Sequence, residues 1–209
     1  MTKPSPTQHY LNLADIKDGC LVLRNGEVRQ VLIVSALNFA LKSEQEQSAI
    51  IYQYQAFLNS LPFSIQIVVQ SRQLDLTTYL AKLKTQAEQT TNLALKAQML
   101  EYLDFVGRLV TLGNIMEKRF YVVIPYATAA ARTRSLFGQL LKRQTVFIEE
   151  AEFKVAKAKL DERAESIRQG LGSMGLVANV ATKEEVAKML YQTYNPIETG
   201  EVAVSPLAS

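Results

Sequence analysis

SALNFALKSEQEQSAIIYQYQAFLNSLPFSIQIVVQSRQ, residues 35 to 73, links two β-branched apolar runs through a segment of helical spacing. The first run extends from Val28 to Phe39 and the second from Phe63 to Val69, with Ser43 to Leu61 between them. In the middle segment Ile50, Tyr54, Phe57, Leu58 and Leu61 recur at helical intervals, which predicts an amphipathic helix. Ser43 stands at the N-cap and Glu46 three residues on, the pattern of a capping box, and acids in the first turn suit the helix dipole. Pro62 pushes the residue before it out of the helical region and ends the helix. Phe63, Ile65, Ile67 and Val69 then alternate with Ser64, Gln66 and Val68. One face of this strand is expected to turn toward the helix and the other partly toward water. The stretch therefore encodes a strand, helix, strand unit that buries a helix on a sheet.

Outward from this unit, Cys20 to Arg24 and Val28 to Val34 flank Asn25-Gly26, a turn pair that predicts a β-hairpin. Asp18-Gly19 is a second turn signal. Residues 15–40 are either a small β subdomain or extra strands on the main sheet. Downstream, Leu76, Leu80, Leu83 and Ala87 mark a short helix. Leu95, Met99, Tyr102, Leu103, Val106, Leu109 and Val110 mark a longer one, with a bend or αα-hairpin at the polar residues Gln89 to Asn92. Phe120 to Ile124 reads as a strand stopped by Pro125. Glu149 to Arg168 is a charged helix in which Phe153, Leu160 and Ile167 recur every seven residues, with Ala156 and Ala164 between them. That narrow seam is expected to pack on another helix. Thr182 to Tyr194 is a last helix with Thr182 as N-cap, Glu185 at the capping-box position and Val186, Met189 and Leu190 as its buried stripe. The expected fold is α+β: a mixed sheet of about five to six strands with helices packed on one face, an N-terminal β-hairpin and strand-helix-strand repeats. Residues 1–14 and 197–209 are expected to be flexible tails around a single domain over 15–196.

The 209 residues are 48% hydrophobic and 21% charged, the balance of an ordinary globular chain. A formal charge of +3 is too small to imply a nucleic-acid partner by itself. The single cysteine, Cys20, excludes a disulfide framework and is expected to be a buried small hydrophobe. The single histidine, His9, lies in the N-terminal tail, so histidine metal sites and Ser-His-acid triads are excluded within one chain. No signal peptide or membrane span is visible, which points to the cytoplasm. No GxxxxGK[ST] occurs. Gly170-Leu171-Gly172-Ser173-Met174-Gly175 fits GxGxxG, but it follows a helix and precedes an extended run, the reverse of a dinucleotide loop. Gly170 or Gly172 is expected to be a helix C-cap with a loop after it. The pairs Glu149-Glu150 and Glu184-Glu185 are neighbours that point apart on a helix, so neither forms an acid/base dyad. No catalytic, cofactor-binding or metal-binding residue is identified, and no enzyme activity is expected.

The clearest charge asymmetry runs from Tyr126 to Ile148, which contains no acid and four cations: Arg132, Arg134, Lys142 and Arg143. These four are the candidate partner-contact residues. A solvated surface is the plain alternative, and nucleic-acid binding through 132–143 is a weaker one, because no aromatics interleave the basic residues.

SALNFALKSEQEQ, YQYQAFLNSLPFSIQIVVQSRQLDL, KRFYVVIPY and EEVAKMLYQTYNP, in that order and spacing, resemble the N-terminal domain of the TraC-type conjugative transfer ATPases, the large motors of type IV secretion systems. The resemblance spans roughly Asp15 to Pro196. It implies a non-catalytic domain that docks a motor to the inner-membrane part of the machine and to neighbouring subunits. The sequence departs from the family after that point: Ser209 ends it where the family continues into the motor and its phosphate-binding loop. ATP hydrolysis is therefore not carried over, and the motor is expected to be a separate chain, lost, or encoded further on. The partners implied are a motor ATPase chain or further copies of this chain, together with inner-membrane secretion components. The place implied is the inner face of the cell membrane, peripherally bound.

Overall fold

The computed structural model describes residues 12–74, 76–113, 115–128, 131 and 148–195. Among these, six strands and five α-helices follow one another as β1 (Leu13–Lys17), β2 (Cys20–Leu23), β3 (Glu27–Val34), α1 (Glu44–Ser60), β4 (Gln66–Gln73), α2 (Thr77–Gln89), α3 (Leu93–Gly113), β5 (Met116–Ala127), α4 (Glu150–Gly172), β6 (Ala178–Val180) and α5 (Lys183–Tyr194). A 3-10 turn, Phe39–Leu41, precedes α1. Gln70–Arg119 forms one compact unit and the remaining described residues another.

The larger unit is α+β, as the sequence leads one to expect. Its sheet has the order β1-β2-β3-β5-β4, with β6 also paired to β3. The β1–β2, β2–β3, β3–β5 and β3–β6 ladders are all antiparallel. β3 is the organising strand. β5 pairs with it from Glu27 to Val34, while the opposite edge is shared, β2 taking Val28 to Gln30 and β6 taking Leu32 to Val34. The Asn25-Gly26 hairpin forms as expected: Gly26 has φ +88° and donates its N–H to the Leu23 carbonyl at 3.0 Å. Thr128 at the end of β5 donates its hydroxyl to the Gly26 carbonyl at 2.7 Å, which ties the turn to the sheet. The Asp18-Gly19 turn joins β1 to β2. Gly19 has φ +73°, and a Cβ there would stand 2.5 Å from the Ala181 carbonyl oxygen, so conformation and space both require glycine.

Helices cover both faces of the sheet, not one. Val28, Leu32, Val34, Val122 and Ile124 meet Phe57 of α1 and Phe153, Ala156, Leu160, Ala164 and Ile167 of α4. Val31, Tyr121 and Val123 on the opposite face meet Val186 and Met189 of α5. The cause is visible in β3 itself, where apolar residues occupy both parities from Val31 to Val34, the composition of a strand buried on both sides. The seven-residue seam of α4 packs against this sheet, where a helix partner was expected. Its alanines let the helix axis approach the strands, and complete burial of Leu160 and Ile167 contributes roughly 1.5–3 kcal/mol each.

Other boundaries move for identifiable reasons. β4 begins at Gln66, three residues later than the apolar run, and Phe63 and Ile65 pack on the core as they enter it. β5 runs past Pro125, which lies opposite Arg29 near the strand end and whose carbonyl accepts a hydrogen bond from Arg163. A missing N–H is tolerated near a strand end, so the proline does not stop the strand. The GxGxxG run also differs: α4 continues through Gly172, and Gly175 at φ +79° is the left-handed residue that ends it, with the Leu176 N–H bonded back to the Leu171 carbonyl at 3.1 Å.

The smaller unit contains α2 and α3, an αα-hairpin and not a bend in one helix, with Ala87 and Val106 buried. Asn92 caps α3 by accepting the N–H groups of Ala94 and Leu95 at 3.0 and 3.2 Å. The ends of β4 and β5 enter this unit, and the Leu74 N–H donates to the Ile115 carbonyl at 2.8 Å.

Gly170 is a packing glycine, because a Cβ there would stand 2.3 Å from Cδ2 of Phe57. Gly170→Ala is expected to destabilise the protein by about 1–3 kcal/mol through overpacking. Urea unfolding measures this, and Phe57→Leu added to Gly170→Ala is expected to recover part of the loss.

Candidate interaction surface

α1 presents most of its side chains to solvent. Ser43 and Glu46 form the expected capping box: Ser43 Oγ accepts the Glu46 N–H at 3.3 Å, and the Glu46 carboxylate accepts the Ser43 N–H at 3.0 Å. Only Phe57 of this helix is fully buried. Tyr54 and Leu58, expected in the buried stripe, are exposed together with Ile51 and Tyr52, and Tyr52 is 73% accessible. Leu61, just past the helix, packs against the core as expected.

β4 also exposes apolar side chains. Val68 packs against the α5-side core, so the strand's alternation puts Ile67 and Val69 on the face that carries α1 and α4. Both are exposed, Val69 to 55%. β4 is the last strand of the sheet, and among the described residues nothing pairs with its outer edge. An edge strand with exposed apolar side chains is a template for another polypeptide. Chemically the arrangement offers hydrophobic contact and strand pairing.

The residues with reactive side chains are otherwise engaged. Cys20 is completely buried, and burial pushes its thiol up to about 11, so it is held as the neutral, unreactive form. Glu149 is the N-cap of α4, and Glu150 pairs with Lys17, whose ammonium also lies 4.8 Å from the centre of the Phe153 ring. Glu184 and Glu185 start α5, and Glu185 completes the Thr182 capping box. The acid pairs are thus helix-start residues. Among the described residues no group of three or more His, Cys, Asp or Glu side chains is placed to hold a metal. Arg132, Arg134, Lys142 and Arg143 lie outside the described residues.

The exposed apolar surface was only partly legible. Alternation in 63–69 gives the face of each residue but not whether anything covers that face. Ile51 and Tyr52, apolar yet off the predicted stripe, were the available signal.

Two measurements follow from these environments. Cys20 is expected to resist alkylation in the native protein and to react at the rate of a free thiol in urea, as read by mass spectrometry. Glu46 is held at about 2 rather than 4.5, chiefly by the Ser43 backbone N–H, then by the Ser43 hydroxyl and Lys42. A carboxylate depressed in the folded state stabilises fully above its unfolded value, and that contribution fades as pH falls from about 4.5 to about 2. Glu46→Gln is expected to flatten this part of the stability-versus-pH curve and to leave its shape above pH about 5 unchanged.

A family model described as the archaeal TraC-like domain matches residues 13–196. No curated protein matches the chain.

Proposed function

Because the chain belongs to the archaeal TraC-like domain family, which relates it to conjugative transfer and type IV secretion, we propose that it is a non-catalytic docking and assembly component of such a machine. The observation that carries this reading is the exposed apolar side chains of α1 and β4, with Ile67 and Val69 on the last strand of the sheet among the described residues. A large apolar exposure on a folded domain marks a protein contact. The partner of this reading is a motor ATPase chain, held at the inner face of the cell membrane through small inner-membrane components. Arg132, Arg134, Lys142 and Arg143 are the residues of this reading that supply a further, salt-sensitive electrostatic contact. No helix among the described residues is long and apolar enough to cross a membrane.

The test is an affinity pull-down of the tagged chain from its native host, washed at moderate salt and read by mass spectrometry. Recovery of a P-loop ATPase with inner-membrane secretion proteins is the expected result. Recovery of nucleic acid alone, or of no secretion component, overturns the reading and favours a nucleic-acid-binding accessory role. The double variant Ile67→Thr and Val69→Thr keeps strand propensity and removes exposed apolar area. It is expected to lose those partners while its stability stays within about 0.5 kcal/mol of wild type.

A further inference from the structure

α3 carries two apolar stripes, where one would serve to hold it on α2. Met99, Leu103 and Val106 form the first, turned inward, with Val106 buried. Leu95, Tyr102, Phe105 and Leu109 form the second, and they are 47%, 47%, 62% and 46% exposed. At 100° per residue the second stripe lies about a quarter turn around the helix from the first. Its spacing is heptad: Leu95, Tyr102 and Leu109 are seven residues apart and Phe105 falls three after Tyr102, the a and d positions of a coiled-coil seam.

The flanks of the seam say what fits it. On one side lie Met99, half-buried, and Val106, buried. The other side carries Glu101 and Arg108, one heptad apart and opposite in charge. Arg108 bonds Asp104 of its own helix at 2.8 and 3.1 Å, and its five-donor guanidinium has capacity for a second carboxylate. Glu101 makes no ion pair among the described residues. When two such helices pack antiparallel, like flanks meet, so Glu101 of each copy comes opposite Arg108 of the other. In a parallel pair Glu101 would instead meet Val106, a charge against an apolar residue.

We infer that two copies of this chain associate through antiparallel packing of their α3 helices, Tyr102 and Phe105 interleaving about the two-fold axis and Glu101 of each copy facing Arg108 of the other. The interface is isologous, so the same patch serves both copies and the assembly closes as a dimer. The seam lies within the smaller unit, and the inference does not depend on the proposed docking function.

Sedimentation of the whole chain across about 1–100 μM tests it. Expected is a concentration-dependent doubling of mass, weakened by added salt. Phe105→Glu is expected to be monomeric throughout, with helical circular dichroism and thermal transition unchanged. Glu101→Arg and Arg108→Glu, both on the exposed flank, are each expected to raise the dimer Kd about ten-fold or more, and the double swap to return it toward wild type. A wild-type chain that stays monomeric overturns the inference. So does a dimer indifferent to Phe105→Glu, or one in which the double swap restores nothing.

Discussion

β3 is paired along both edges and covered on both faces, and that double satisfaction holds the larger unit together. Its eight residues are matched by β5 on one side, while β2 and β6 divide the other. Val28, Val31 and Leu32 are completely buried, so any strand N–H or carbonyl left without a partner there would lie in an apolar interior at a penalty of a few kcal/mol. The short β6 is therefore more than an accessory. It supplies the hydrogen bonds that β2 is too short to reach, and the Ala181 N–H extends the pairing to the Val31 carbonyl at 2.9 Å. The tight Asp18-Gly19 turn, pressed against Ala181, keeps β2 and β6 on one line.

α4 is fastened to this strand system by contacts of different kinds. Its apolar seam fills one face of the sheet. Gln30, fully buried on β3, donates its amide to Asp161 at 2.7 Å, and Asp161 also accepts from Lys157. Arg168 donates to the Ala178 carbonyl at 3.0 Å, fixing the start of β6. Arg163 lies 4.7 Å from the Phe63 ring centre and 5.4 Å from that of Tyr126, bridging the chain leaving α1 and the end of β5. Dispersion and burial provide most of the energy, and these polar ties select the register in which the helix lies.

The rigid centre leaves its periphery free for contacts. α1 is anchored through Phe57, Gly170 and a well-made cap, which leaves Ile51, Tyr52, Tyr54 and Leu58 outward. In the smaller unit, α3 satisfies α2 with one stripe and exposes another. Apolar side chains left outside a core in organised stripes are the usual raw material of assembly.

The sequence by itself determined the local elements: both capping boxes, the two tight turns, the two helices α2 and α3, and the stripes of α4 and α5. Each follows from bonds or spacings within a few residues, so neighbours in the chain carry all the information. It also carried the family, because order and spacing of apolar runs persist in the chain itself. The tertiary structure decided what covers each face. Ile67 and Ile65 have the same chemistry and the same parity, yet Ile65, leading into β4, packs on the core and Ile67, within the edge strand, does not. Likewise, the heptad in α4 met a sheet, while Leu95, Tyr102, Phe105 and Leu109 met solvent. A side chain's hydrophobicity is a property of the residue; its burial depends on what distant parts of the chain bring to it.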